Sequence, residues 1–278
     1  MPRQTFRQPQ GCDVPRRGPG DRSKGGRAIE IDLTFLLIGV PAVILAGVSK
    51  GGFGSGASFV AAPMLALILP PEMALGILMP VLLLIDAVTL KPYWRRWDMR
   101  QSILLLLGAV PGVALGILFW RIANPDMLRL LIGVIALGFV AHQIAGRLRP
   151  APTAPRPAPR AIGLLAGCVS AFTSFVSHAG GPVAAVYLLS QGLSKTGYQA
   201  TTVLVFGVVN VAKTISYVFL GAITLQSMTA GLYLVPAALL GAWLGVVAHR
   251  AIPERAFFLV TYSLLLAAGA KLIFHALT

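Results

Sequence analysis

Residues 31–69 read IDLTFLLIGVPAVILAGVSKGGFGSGASFVAAPMLALIL. The opening apolar run, 31–48, is close to the roughly 20 apolar residues that cross a ~30 Å hydrocarbon core. It meets GVSKGGFGSGAS, residues 47–58, which holds five glycines in the ten positions 47–56. The 13 residues ending at Leu69 are again mostly apolar and stop at Pro70-Pro71. Thirteen residues make only ~20 Å of helix, short of a full span. Backbone that leaves the helix at membrane depth survives only where protein buries it or where it lines a wet cavity. The stretch therefore reads as a membrane span, a glycine-rich break and a short re-entrant or broken helix.

The rest of the chain repeats this character. Further apolar runs fall at 73–90, 102–120, 127–146, 161–177, 197–220, 227–248 and 256–277. Of the 278 residues 56% are hydrophobic and only 12% charged, against about 25% charged in soluble domains. Much of the surface must therefore face lipid, and the spans leave no room for a separate soluble domain. The net charge is +14, yet seven of the 23 Lys and Arg lie in 1–30, four in 91–100 and four in 147–160. Concentration in short extramembrane segments marks cytoplasmic loops. A nucleic-acid partner is not expected, because such binding needs a basic soluble face.

The polar, Arg-rich residues 1–30 read as a disordered basic tail. The apolar run behind them is longer than a signal-peptide core and lacks a small-residue cleavage site, so it is expected to remain as a span. Cys12 in the tail and Cys168 in a span are not expected to pair.

A Pro/Arg-rich linker, 150–160, separates a first transmembrane repeat, 31–149, from a second, 161–278. Gly54-Ser55 match Gly180-Gly181 at a separation of 126, as Glu72-Met73-Ala74 match Tyr198-Gln199-Ala200. Pro111 and Gly116 match Pro236 and Gly241 at 125. Internal repeats of this kind mark secondary transporters. The second half has its own break, Ser177-His178-Ala179-Gly180-Gly181-Pro182, before a segment of about ten residues ending at Ser190.

The fold expected is thus an all-α polytopic membrane protein with about eight transmembrane helices in two homologous four-helix repeats. Each repeat carries a Gly-rich re-entrant or broken helix. Eight spans put the tail, the loop KPYWRRWDMR (91–100), the linker and the C-terminus on the cytoplasmic side. The alternative has ten spans and inverted repeats, with the tail opposite the two basic loops. Basic charge favours eight.

Candidate binding residues cluster at the breaks and on one later helix. Ser49, Lys50, Gly52, Gly54 and Ser55 form the first group. Glycine frees backbone N–H groups to approach an anion, and a helix starting behind the break adds a positive dipole end. Tight helix packing by small residues is the competing reading. Ser177, His178, Gly180 and Gly181 form the second group, where a protonated His178 would couple substrate to protons. In the run 197–220, Asn210, Lys213, Thr214 and Tyr217 lie at i, i+3, i+4 and i+7, one polar face on an apolar helix.

Lys213 is sixteen residues from the start of that run and seven from its end. A charge at such depth costs on the order of 3 kcal/mol and faces a cavity or a partner. Its partner is a substrate anion or Asp86, the carboxylate inside a run. Asp86 itself lies near Lys91, Arg95 and Arg96, where an interfacial salt bridge is expected. Ser174 and His178 have the i, i+4 spacing of a nucleophile and its base. Four histidines without a carboxylate cluster offer no metal site, and no phosphate-cradling loop is present. No enzyme, metal or cofactor is expected.

GVSKGGFGSGASFVAAP with the downstream PPEMALG, and AGGPVAAVYLLSQGLSKTGYQATTVLVFGVVNVAKTISYVFLG, resemble the sulfite exporter TauE/SafE family of membrane permeases. The resemblance covers roughly residues 33–276. The second stretch is the more specific, through its Gly-Gly-Pro, its Gln-Gly turn and its Asn-x-x-Lys helix. The first break departs in having Gly-Ser-Gly at 54–56 where a plain Gly-Gly-Gly is the pattern. The resemblance implies a bacterial inner-membrane protein with internal duplication. It also implies a substrate among sulfite, sulfonates such as sulfoacetate, and related small organic anions. Partners expected are that anion, moved with or without protons, and the lipid bilayer, with a homodimer left open. An anion channel or a non-transporting membrane component is the alternative.

Overall fold

The structure, a computed structural model, describes residues 31–53, 58–148, 157–248 and 254–278. The tail 1–30, most of the linker, and Gly54 and Ser55 lie outside the described residues. Helix α1 spans Leu33–Val48 and continues as a π turn over Ser49–Phe53. A 3-10 turn at Ser58–Val60 leads into the short α2, Ala61–Ala66. Then come α3 (Pro71–Leu90), α4 (Met99–Ile122) and α5 (Pro125–Leu148). The second half has α6 (Arg160–Ser177), the short α7 (Gly181–Ser190), α8 (Lys195–Phe219), α9 (Leu225–Ala248) and α10 (Glu254–Leu277).

Local chemistry sets the ends. Asp32, Asp98 and Ser194 cap α1, α4 and α8 by accepting from the N–H of Phe35, Gln101 and Gly197, each answering one orphan donor of the first turn. Pro71 opens α3 at a position where a missing N–H does no harm. Among the described residues eight helices are long and apolar enough to cross a membrane, all but α2 and α7, in agreement with the all-helical expectation.

Side-by-side packing gives each helix its direction. Gly39 of α1 sits on Leu234 of α9, and Gly51, beyond the end of α1, on Ala242 and Val246. Those two helices are parallel. Gly76 of α3 meets Ala222 and Ser227, and Gly231 meets Ile77, Pro80 and Val81, so α3 is parallel to α9 as well. Helices α1 and α3 therefore start at the same face, and Tyr93 at the far end of α3 donates to the Gly51 carbonyl. The chain between them, with α2, runs back the whole way.

The second half does the same. Gly108, Gly112 and Gly116 of α4 lie against Leu164, Cys168 and Phe175 of α6, a parallel pair. Thr201 Oγ1 accepts from Asp98 N, and Leu105 clusters with Val205 and Val209, so α8 is parallel to α4. Asp86 meets Asn210 and Tyr93 meets Ala200, which makes α3 and α8 antiparallel. Direction thus alternates through all ten helices, and the two halves run oppositely.

This corrects one expectation. Residue 31 and Thr278 lie at one face, whereas the Lys91–Tyr93 turn and the ends that flank the linker lie at the other. The tail-proximal end and the C-terminus do not share a side with the basic loops, because α2 and α7 turn the chain around instead of dipping and returning. The eight long helices stand.

Glycine makes the two parallel contacts close. A Cβ at Gly108 would lie 2.1 Å from the Leu164 carbonyl oxygen, and one at Gly245 would lie 2.5 Å from that of Val48. Between apolar helices in lipid, van der Waals contact at close approach replaces hydrophobic burial as the attraction. Exchange of the halves turns the α1–α9 contact into the α6–α4 contact. Between them α3 and α8 run through the middle, lined up with both breaks.

Candidate functional site

The first break places Lys50 in the π turn that follows α1. A π turn adds a residue to the helical ring and is frequent at functional sites. The two glycines that follow it serve packing: a Cβ at Gly51 or Gly52 would lie 2.4 Å from the carbonyl oxygen of Ala242 or Gly245. That is the small-residue reading for Gly52. It frees α1 to approach α9 and turns Lys50 inward, where it is 5% exposed. Ser49 beside it is buried as well.

The second break ends α6 at His178, whose φ of 56° is left-handed. Outside glycine this region is uncommon, though His is enriched there several-fold. The His178 N–H returns to the Ser174 and Thr173 carbonyls, closing the helix. Gly180 then packs where a Cβ would lie 2.5 Å from the Ser170 carbonyl oxygen, and α7 starts at Gly181. The two breaks enter from opposite faces, since α1 and α6 run oppositely.

Between them α3 and α8 supply the rest of a continuous polar chain. Lys50 forms an ion pair with Asp86 Oδ1. Asn210 Nδ2 donates to Asp86 Oδ2 at 2.6 Å. Lys213 Nζ, fully buried, has three acceptors: His178 Nδ1 at 2.8 Å, Ser174 Oγ at 3.1 Å and Asn210 Oδ1 at 3.4 Å. An ammonium has three N–H donors, and all three point at neutral groups. With Lys213 the donor, His178 Nδ1 accepts and Nε2–H donates to the Leu75 carbonyl at 3.3 Å. Gln199 Nε2 ties down the Lys50 carbonyl at 2.7 Å.

Lys50, Ser58, Leu82, Ser174, His178 and Asn210, with Gly181 and Phe206, enclose a small cavity. Its space for the centre of a water-sized sphere is about 10 Å³, enough for about one water. Gly181, the first residue of α7, brings a helix N-terminus to the cavity wall, where backbone N–H groups favour negative charge.

Of the residues expected from sequence, Lys50, His178, Gly181, Asn210 and Lys213 converge here, with Ser49 and Gly180 beside them. Three others serve their own surroundings. Ser177 donates to the Thr173 carbonyl and Thr214 to that of Asn210. Tyr217 Oη donates to the Phe175 carbonyl at the end of α6, and its ring packs edge-on to Phe175.

Two sequence expectations change. Asp86 is not an interfacial partner of Lys91, Arg95 and Arg96: it is 5% exposed and bound to Lys50 and Asn210. Nor does it pair with Lys213. The π turn carries Lys50 to Asp86 first, a contact that spacing along the chain does not reveal. Ser174 and His178, whose spacing would suit a nucleophile and its base, both face Lys213.

Gln199, Ser58 and Phe206 were not among the residues expected. A glutamine one turn inside a helix and a serine beside glycines carry no signal of their own. Ser174 was legible only through its spacing from His178.

The fold and site together define an all-helical, multi-pass membrane protein with a buried polar centre that holds two lysines and a carboxylate. Residues 39–272 match the family model for the sulfite exporter TauE/SafE. The chain belongs to that family, which consists of transporters, not enzymes. It is accordingly a membrane permease with several apolar helices. No curated protein and no solved structure matches it.

Proposed function

We propose that this protein is a secondary permease of the bacterial inner membrane for a small anion, sulfite or an organosulfonate, held between the two breaks. One observation carries the reading. The buried centre contains two lysines and one carboxylate, and that carboxylate is engaged by Lys50. Lys213 is left with neutral acceptors only. A buried charge without a counter-ion is costly, and a passing anion is the partner that would satisfy it. Asn210, Ser174 and Ser58 add the hydrogen-bonding groups that oxyanions use, with the start of α7 behind them.

Matched spacing of the breaks, together with the mirrored α1–α9 and α6–α4 contacts, supports two inverted homologous halves. The basic residues at 91–100 and 147–160 support a cytoplasmic side for those loops. Residue 31 and Thr278 then face the other side. A cavity with room for about one water supports a carrier over an open pore.

Flux into proteoliposomes, measured for sulfite, sulfoacetate, taurine, sulfate and short carboxylates, tests the proposal. Saturable flux of a sulfur oxyanion with counterflow is expected. Unsaturable flux without counterflow would favour the channel reading, and no anion flux at all would refute transport of this class.

A further inference from the structure

What Asp86 does follows from its two neighbourhoods, and the inference rests on the anion-site reading above. We infer that Asp86 occupies Lys50 in place of the substrate when the site is empty, and carries a proton when the substrate displaces it. On one side its carboxylate holds Lys50 and accepts from Asn210, and both of those residues line the small cavity of the site. On its other side Asp86 borders a second, open cavity of about 230 Å³ between α3 and α8. Leu83, Ala87, Leu90, Leu204 and Gly207 line it, and Leu90 is the last residue before the basic turn at Lys91–Tyr93. The carboxylate therefore has somewhere to go when an anion takes Lys50.

Charge decides what happens next. A carboxylate that has lost its cation in an apolar cavity is strongly disfavoured, and protonation removes the penalty. The charged and titratable groups around Asp86 are few. Lys50 faces it from the turn after α1, and Lys213 and His178 lie one step beyond Asn210. Tyr93, at the end of its own helix, is tied to Gly51. Helices α2 and α9 carry no charged side chain, and α5 has its Asp126–Arg129 pair in its first turn and His142 on a groove toward α6. With Lys50 given to the substrate, no other cation among the described residues contacts the carboxylate.

The proton, drawn from water on the side where the anion enters, binds a carboxylate oxygen of Asp86. No covalent bond of the substrate forms or breaks. After reorientation the anion leaves Lys50, Asp86 gives its proton to water on the opposite side, and the ion pair forms again. The centre carries one net positive charge when empty and the same charge when loaded with a monoanion and a proton. His178 is not the coupling group, since both of its ring nitrogens are already held by Lys213 and Leu75.

The test uses sulfoacetate, whose two acid groups are both ionised near neutral pH, so that its own charge is constant. Proteoliposomes are held at zero membrane potential with a pH gradient of one unit. One proton per anion then drives accumulation to at most about tenfold, because each tenfold in activity balances another. The wild type is expected to accumulate sulfoacetate, and Asp86→Glu to do so with a shifted pH dependence. Asp86→Asn is expected to lose accumulation altogether, whatever rate of sulfoacetate counterflow it keeps.

Because Asp86→Asn leaves Lys50 unpaired and risks misfolding, the wild type supplies a second measurement. Sulfoacetate added to the lightly buffered detergent-solubilised protein should take up about one proton per anion bound, the single site this mechanism requires. Accumulation by Asp86→Asn equal to that of the wild type overturns the inference. So does wild-type binding without proton uptake, while the permease reading survives both results. Complete absence of sulfoacetate flux and binding overturns the anion site and this inference with it.

Discussion

Lys213→Met separates a substrate site from a structural one. Two contributions of opposite sign act on stability. Removing the ammonium forfeits three hydrogen bonds, worth about 1.5–3 kcal/mol each when one partner is charged. It also removes a fully buried ion whose desolvation costs several kcal/mol. Their sizes are comparable, and methionine fills most of the lysine's volume with a flexible chain. The variant should fold with a yield near that of the parent. Transport responds differently. A unit charge ~4 Å from an anion, at an effective dielectric constant of ~20, contributes about 4 kcal/mol. Its loss weakens binding by on the order of a thousandfold, so initial rates at low anion concentration fall to background. Lys213→Arg keeps the charge, but its planar fork does not match acceptors on Ser174, His178 and Asn210, and partial flux is expected. The assay is initial-rate anion uptake into proteoliposomes, beside size-exclusion profiles of the same preparations. A monodisperse Lys213→Met protein whose flux lies within tenfold of the parent would falsify the reasoning.

Lys50→Met should express poorly, because it strands Asp86 without its cation at a cost of about 3–5 kcal/mol. The double variant Lys50→Met/Asp86→Leu should recover yield, read by size-exclusion chromatography, but no flux. Gly108→Ala places a Cβ 2.1 Å from the Leu164 carbonyl oxygen and should lower thermal stability, the overpacking amounting to about 1–3 kcal/mol. Gly207→Ala, whose Cβ meets nothing within 4 Å, should stay within about 0.5 kcal/mol. An equal shift for both would refute the close-contact account of the α4–α6 pair. In a cysteine-free background, an impermeant maleimide added to intact cells should label Thr278→Cys and leave Pro157→Cys unmodified. Labelling of both from outside would contradict the chain directions derived above.

Much of this was legible in one dimension because lipid imposes it. A lipid-facing helix cannot hide its composition, so eight long spans and two short segments stood out as apolar runs bounded by Gly and Pro. Lys213 was legible for the same reason: a cation deep in an apolar run, on a face with Asn210, has to be answered by something. Asp86 shows where that reasoning stops. Sequence distance made Lys91, Arg95 and Arg96 its natural partners, five to ten residues away. Its real partner is Lys50, brought by a π turn and by glycines thin enough to let α1 settle on α9. Backbone geometry of that sort depends on a contact between helices nearly 200 residues apart.

The direction of the chain failed for a related reason. Length alone says that thirteen residues are too few to cross, and the charge count then prefers a tail on the same side as the loops. Yet α2 is wholly buried, between α1, α3 and α10. A short helix enclosed by protein need not match the lipid thickness, because its polar ends are answered by its neighbours. The rule that rejects short crossings applies to helices that face lipid. Where a glycine-rich break leads into a short helix, the return of the chain has to be read from which helices pack in parallel, and two such returns bring Lys50 and His178 toward one another from opposite faces.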